Sequence, residues 1–134
     1  MRVIAIDGPA GAGKSTIAKR LASRVGLDYL DTGAMYRAIT VKVLREGLDP
    51  AGTEVAGAAQ SAAIEMDGVS VIVDGVDATA AIRSPDVTSQ VSVVAANSQV
   101  REALRAQQRK WAERMGGGVL EGRDIGTVVF PDAV

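Results

Sequence analysis

The sequence predicts an α/β fold: a short parallel sheet packed with helices, and a small antiparallel β/α subdomain inserted into it. Three observations predict it. A β-branched apolar run in Arg2–Asp7 passes through a glycine-rich turn into a segment of helical periodicity, the strand-loop-helix order of a parallel sheet. Between Ala63 and Val73 the apolar period changes to alternation about Asp67-Gly68, the pattern of a β-hairpin. A second strand candidate, residues 119–121, follows a glycine cluster late in the chain.

Taken in order, Arg2–Asp7 has VIAI at its centre and reads as a strand buried on both faces. From Lys14 onward Ile17, Leu21 and Val25 recur at helical spacing beside Ala18 and Ala22, and Gly26 supplies a C-terminal stop. Residues 27–30 are a candidate second strand. Asp31 and Thr32 then cap a helix carrying Met35, Ile39, Val43 and Leu44, ended by Gly47. Residues 49–62 read as a short helix capped by Thr53. The hairpin follows, and residues 76–82 are a candidate third strand. An antiparallel hairpin does not belong inside a parallel sheet, so residues 53–95 are set apart as the insert, with 1–52 and 96–134 forming the core. Ser84-Pro85 combines a capping side chain with proline at the first helical position and opens one helix. Another begins near Ser98, runs through Val100, Leu104 and Trp111 with a basic outer face, and breaks at the glycines 116–118. The last strand, 119–121, leads into the loop GRDIGTVVFPDA.

Composition narrows the chemistry. With 134 residues, 47% of them hydrophobic, the chain suits one soluble compact domain. No apolar run approaches the roughly 18 residues needed to cross a bilayer, and no charged leader precedes an apolar stretch, so a cytoplasmic protein is expected. Without cysteine there are no disulfides, thiolate zinc sites or cysteine nucleophiles; without histidine there is no serine-histidine triad and no HExxH metal site. Fifteen basic and 16 acidic residues leave a net charge of −1, which gives no footprint for nucleic acid. A small anionic ligand fits better, and a monomer that engages no membrane is expected.

The strongest motif is Gly8-Pro9-Ala10-Gly11-Ala12-Gly13-Lys14-Ser15, continuing into Thr16. It fits G-x4-G-K-[S/T] and lies between a strand and an amphipathic helix, where a P-loop must lie. The glycines let backbone N–H groups curl around phosphate oxygens, and the helix N-terminus turns its positive dipole end on the anion. Lys14 reaches the β- and γ-phosphates of a nucleoside triphosphate, Ser15 offers its hydroxyl to the Mg²⁺ that bridges them, and Thr16 donates to the α-phosphate. A P-loop alone leaves GTPases, ATPases and small-molecule kinases open. The base-reading NKxD and the switch glycine motif of GTPases are absent, and the insert points to a kinase that lays a second anionic substrate opposite the triphosphate.

GPAGAGKST at 8–16, DTGAMYR at 31–37, VREALRAQQR at 100–109 and EGRDIGTVVFPDA at 121–133 together resemble the bacterial cytidylate kinases, nucleoside monophosphate kinases of the P-loop class, over essentially the whole chain. The resemblance implies a P-loop kinase with a three-layer core, 53–95 as the subdomain that binds the monophosphate, and Mg²⁺ carried with ATP. It implies transfer of the γ-phosphoryl group of ATP to CMP or dCMP. By position, Thr32 lies near the acceptor nucleotide and Arg37 in its phosphate-facing region. Ser92 and Arg101 match the pair that contacts cytosine, Asp124 lies beside them, and Arg123 matches a phosphate-binding arginine. Lys14 and Arg123 are then the catalytic cations. The chemistry is consistent with a chain that lacks histidine, because a CMP phosphate oxygen is already anionic and needs no general base.

Plainer readings stand beside these. Arg37 is also readable as a solvated helix residue or a partner for Asp31, and Ser92 as an ordinary polar residue near a helix end. Arg101 and Arg105 lie on a basic face of the kind usually solvated. Arg123-Asp124 is readable as a turn ion pair, and Trp111 as packing. Glu121 either orients a magnesium-bound water or merely finishes its strand. The family pattern continues beyond residue 134 into a further strand, an arginine-rich lid and an adenine-side segment. These 134 residues alone are therefore expected to bind phosphate with little turnover, lid arginines being worth about a thousandfold or more in related transfers.

Overall fold

The computed structural model describes residues 1–8, 14–67 and 70–133. In chain order the elements are β1 (Arg2–Asp7), α1 (Lys14–Val25), β2 (Tyr29–Asp31), α2 (Thr32–Arg45), α3 (Val55–Ser61), β3 (Ile64–Met66), β4 (Val71–Val73), β5 (Val76–Asp77), a 3-10 turn (Ala81–Arg83), α4 (Pro85–Ala96), α5 (Ser98–Met115), β6 (Gly117–Gly122) and a π-helical turn (Ile125–Val129). The chain divides into two compact units: Met1–Gly33 with Arg105–Val134, and Ala34–Leu104. No helix among the described residues is long and apolar enough to cross a membrane.

In the first unit the sheet order is β1-β6-β2, all parallel, with Asp7 opposite Gly122 and Asp31 opposite Glu121. The last strand in sequence is thus central, and all six of its residues are buried. β1 was expected to be buried on both faces, but only Val3 is. β1 lies at the edge of this sheet, paired on one side by β6, and the continuous burial belongs to the strand with two neighbours. α1 packs on the sheet through Ala18 and Ala22, which meet Val119, with Ile4, Ile6, Val25, Leu27 and Tyr29 around them. Small side chains let the helix approach the sheet closely. Ile17, one position and about 100° round the helix from Ala18, is 61% exposed.

The turn from α5 into β6 depends on glycine. Gly116 has φ +74° and Gly117 φ +125°. A Cβ on Gly117 would strike the Arg2 carbonyl oxygen, and one on Gly118 the buried Trp111 ring. Trp111 is therefore a packing residue whose ring occupies the space a glycine leaves. Gly117→Ala is expected to lower stability by about 2 kcal/mol, seen as an earlier thermal transition, because the added methyl meets both a disfavoured φ and the backbone of β1. An unchanged melting temperature would refute this account of the β1–β6 contact.

In the second unit β3, β4 and β5 form an antiparallel sheet, with Met66 opposite Val71 and Val73 opposite Val76. Its core joins Ala34, Ala38 and Val41 of α2 to Val71, Val73, Ala78, Ile82 and Val87. The Asp67 N–H donates to the Ser70 carbonyl and the Ser70 N–H to Asp67 Oδ1, closing the first hairpin; Gly68 and Val69 lie outside the described residues. A second tight turn, Asp74-Gly75, has positive φ at both positions, 52° and 80°, as a type I′ hairpin turn demands. The third strand is shorter than expected: only Val76–Asp77 pair. Asp77 Oδ1 accepts the Thr79 N–H and Thr79 Oγ1 accepts the Val71 N–H, which turns the chain away into the 3-10 turn. Buried Lys42 pairs with Asp74 Oδ2 and donates to Ser61 Oγ, each at 2.9 Å, tying α2 to that turn and to α3. The Ala63 N–H, then the Lys42 ammonium, hold the Asp74 carboxyl below the usual carboxylate range.

Caps were legible in part. Ser84 Oγ accepts the Val87 N–H with Pro85 opening α4, as expected, and Asn97 Oδ1 accepts the Gln99 and Val100 N–H groups to start α5. Thr53 does not cap α3. Glu54 occupies that position without a side-chain bond, and the helix is held by burial of Val55, Ala56, Ala58 and Ala59.

Candidate active site at the carboxyl edge of the parallel sheet

Three parallel strands end together at Asp7, Asp31 and Gly122, the edge at which open α/β sheets bind ligands. Each leads into one of the segments the sequence singled out. β1 runs into the loop before α1, β2 into Thr32, and β6 into residues 122–130. The Gly8 N–H donates to the Gly122 carbonyl at 3.0 Å, so the first and third segments leave the sheet tied together. Pro9, Ala10, Gly11, Ala12 and Gly13 lie outside the described residues, as does the Lys14 side chain; α1 itself begins at Lys14, with Ser15 half-buried and Thr16 exposed.

Buried bonds hold the floor of this edge. Thr32, 3% exposed, donates through Oγ1 to the Glu121 carbonyl at 2.7 Å. A Cβ on Gly122 would collide with that hydroxyl, so glycine there preserves the bond. Glu121 is 5% exposed, and its Oε1 accepts from the Tyr29 hydroxyl at 2.5 Å. Burial first, then the bond to Glu121, pushes the Tyr29 phenol far above its usual range, so it stays a protonated donor. Glu121 therefore does more than finish its strand.

The loop after β6 is clamped by three side chains. Asp7 accepts the Ile125 N–H on Oδ1 and the Gly126 N–H on Oδ2, both at 2.8 Å. Arg109 donates to the Val129 and Val128 carbonyls. Arg105 donates to Asp124 through Nε at 3.1 Å and a terminal nitrogen at 2.7 Å, both to Oδ2, which leaves Oδ1 outside the pair. Arg123, between Gly122 and Asp124, is exposed. The turn ion pair that Arg123-Asp124 suggested is not the one formed: the carboxylate is held by Arg105. Residues 101, 105 and 109 stand four apart on one helical stripe, and spacing alone does not say which of them takes the carboxylate.

The remaining predicted residues lie in the second unit. Arg37 is half-buried and donates to the Ile82 carbonyl at 2.9 Å and to Thr88 Oγ1 at 3.1 Å, so it is not simply solvated. Ser92 is exposed on α4. Arg101 is half-buried, and its Nε is a buried donor with no hydrogen-bond partner among the described residues. Such orphaned donors are rare in folded proteins. Asp7, Tyr29 and Arg105 were missed by the sequence reading. A carboxylate ending an apolar strand just before a glycine loop was the one available signal, for Asp7.

The oxygen-rich donors at this edge suit a hard cation. No group of three or more His, Cys, Asp or Glu side chains among the described residues forms a cage for a metal.

Comparison with known proteins agrees with this architecture. The family model described as cytidylate kinase matches residues 4–134. The chain is 54% identical to a cytidylate kinase of Caldanaerobacter subterraneus subsp. tengcongensis, over 97% of this chain and 58% of that protein. It is 54% identical to a bifunctional pantoate ligase/cytidylate kinase of Synechococcus elongatus, over 98% of this chain and 27% of that protein. A protein of the same description from Trichormus variabilis is 52% identical, with 98% and 26% covered. The chain thus spans little more than half the length of the shorter relative. With a P-loop signature between β1 and α1, a parallel sheet and a family match over nearly every residue, the chain belongs to the cytidylate kinase family.

Proposed function

We propose that the protein transfers the γ-phosphoryl group of ATP to CMP or dCMP, giving CDP or dCDP and ADP, within pyrimidine nucleotide metabolism in the cytoplasm. The observation that carries this reading is the meeting of the P-loop start and the 122–130 loop at one sheet edge, joined by the Gly8–Gly122 bond and the Asp7 clamp. The P-loop residues 8–16 hold the triphosphate, and Lys14 and Arg123 neutralise charge on the transferring group. Mg²⁺ arriving with ATP is held through the Ser15 hydroxyl and supplies further charge neutralisation. Thr32, Arg37, Ser92, Arg101, Arg123 and Asp124 serve the acceptor, with residues 53–95 as its binding subdomain. Arg101 suits that role because its buried Nε awaits a partner. The nucleophile is an anionic phosphate oxygen, so positioning and charge neutralisation suffice. The protein acts as a monomer and engages neither nucleic acid nor membrane, in keeping with its net charge of −1.

An acceptor panel with ATP, reading ADP release for CMP, dCMP, UMP and non-nucleotide alcohols, tests the reading; release with an alcohol alone would overturn it. Cytosine specificity should depend on Asp124. Oδ2 is held by Arg105 and Oδ1 is available to accept from the exocyclic amino group of cytosine, which uracil lacks. Asp124→Asn is expected to raise KM for CMP about tenfold or more with little change for ATP, since a site built around a polar contact discriminates through the group left unpaired. Equal losses for both nucleotides would place Asp124 in the scaffold.

A further inference from the structure

The backbone of the loop after β6 and the side chain of Asp124 are held by different residues. Asp7 accepts the Ile125 and Gly126 N–H groups, and Arg109 donates to the Val128 and Val129 carbonyls. Within the loop, the Asp124 carbonyl accepts the Val128 and Val129 N–H groups, and the Ile125 carbonyl accepts the Phe130 N–H. None of these bonds involves Arg105, which stands one turn before Arg109 on α5 and grips the Asp124 carboxylate. The path of the loop and the aim of Asp124 therefore have separate supports.

The form of the ion pair matters. A guanidinium edge can take both oxygens of a carboxylate through two parallel bonds. Here Nε at 3.1 Å and a terminal nitrogen at 2.7 Å converge on Oδ2 alone, and both side chains are partly buried. An aspartate otherwise turns about two side-chain torsions. With Oδ2 gripped, the place of Oδ1 is set, and Oδ1 keeps its lone pairs for a donor. An ionised carboxylate only accepts. Held in one place, it attracts the exocyclic amino group of cytosine and repels the carbonyl oxygen that uracil carries at the same position; free to turn, it could swing aside from that carbonyl.

We propose that Arg105 is a positioning residue for the choice of acceptor base: by holding Asp124 Oδ2 it fixes Oδ1 as an acceptor that admits an amino group and turns away a carbonyl. This rests on the reading of Asp124 as a residue that contacts cytosine. Arg105 itself need not touch the nucleotide.

The test is the affinity for CMP, UMP and ADP by calorimetry, for the wild type, Arg105→Met, Arg105→Lys, Asp124→Asn and the Met/Asn double variant. The wild type is expected to bind CMP more tightly than UMP. In Arg105→Met that preference should fall about tenfold, through weaker CMP binding, while ADP affinity is unchanged. Arg105→Lys keeps the charge and one donor but not the fork, and should fall between the two. In the Asp124→Asn background the arginine substitution should change the preference no further. Amide exchange at Ile125 and Gly126 should stay as slow in Arg105→Met as in the wild type, because Asp7 holds both amides. An unchanged preference in Arg105→Met, with a reduced one in Asp124→Asn, overturns the proposal while the reading of Asp124 stands. Equal losses for CMP and UMP, or faster exchange at those two amides, overturn it in favour of a support for the loop as a whole. A wild type without preference for CMP, or an Asp124→Asn variant that keeps it, removes the reading of Asp124 and the proposal with it.

Discussion

Lys14→Ala is expected to lower kcat/KM for phosphoryl transfer by about a hundredfold to a thousandfold while leaving the melting temperature of the ligand-free protein unchanged. The size follows from what one preorganised charge is worth where negative charge develops. The selectivity follows from position. Lys14 is the first residue of α1, whereas the helix meets the sheet through Ala18, Ala22 and Val25, one to three turns further on. Removing the lysine is therefore expected to take a cation from the phosphates and to leave the Ala18, Ala22 and Val25 packing in place. Parallel activity and thermal denaturation assays check both halves. A melting temperature that falls in step with activity would make Lys14 a structural residue and would remove the main support for the P-loop reading.

The same division between local pattern and distant pairing decides what the sequence disclosed. β1, α1 and α4 were legible because their signals are local: a β-branched run, a 3.6-residue period, a serine before a proline. β2 was read as 27–30 and lies at Tyr29–Asp31, because register with β6 sets its bounds and Asp31, read as part of a cap, pairs opposite Glu121. The second hairpin turn was present in the sequence as Asp74-Gly75, but residues 76–82 were read as one uninterrupted strand. At the site, Thr32 and Asp124 were identified by motif, whereas their partners were not. Thr32 answers to a carbonyl 89 residues away and Asp7 to amides 118 and 119 residues away, separations that no periodicity records. Asp124 answers to Arg105, 19 residues back on another element, and the basic helical face did not single that arginine out.

Asp7 brings the last of these consequences to a test. Its two carboxylate oxygens each take one backbone N–H of the loop that carries Arg123 and Asp124, and the Ile125 side of that loop is fully buried. Asp7→Ala leaves the Ile125 amide without its acceptor in a place water reaches poorly, at a cost of about 1–3 kcal/mol. It also frees the loop at the point where its path is set. Arg105 and Arg109 still grip Asp124, Val128 and Val129, so the loop should shift and not unfold. A shift of about 1 Å in catalytic groups can cost on the order of a hundredfold in rate, and that is the expected fall in kcat/KM for CMP. Asp7→Asn should fall between the two proteins, because its amide oxygen can still accept one N–H while its amino group faces the other. Amide hydrogen exchange gives the independent readout. Exchange at Ile125 and Gly126 should quicken in Asp7→Ala while the β6 amides stay protected by their pairing with β1 and β2. Unchanged exchange at those two amides together with unchanged CMP kinetics would mean that the loop holds its place without Asp7; faster exchange throughout β6 would mean that the carboxylate supports the sheet itself.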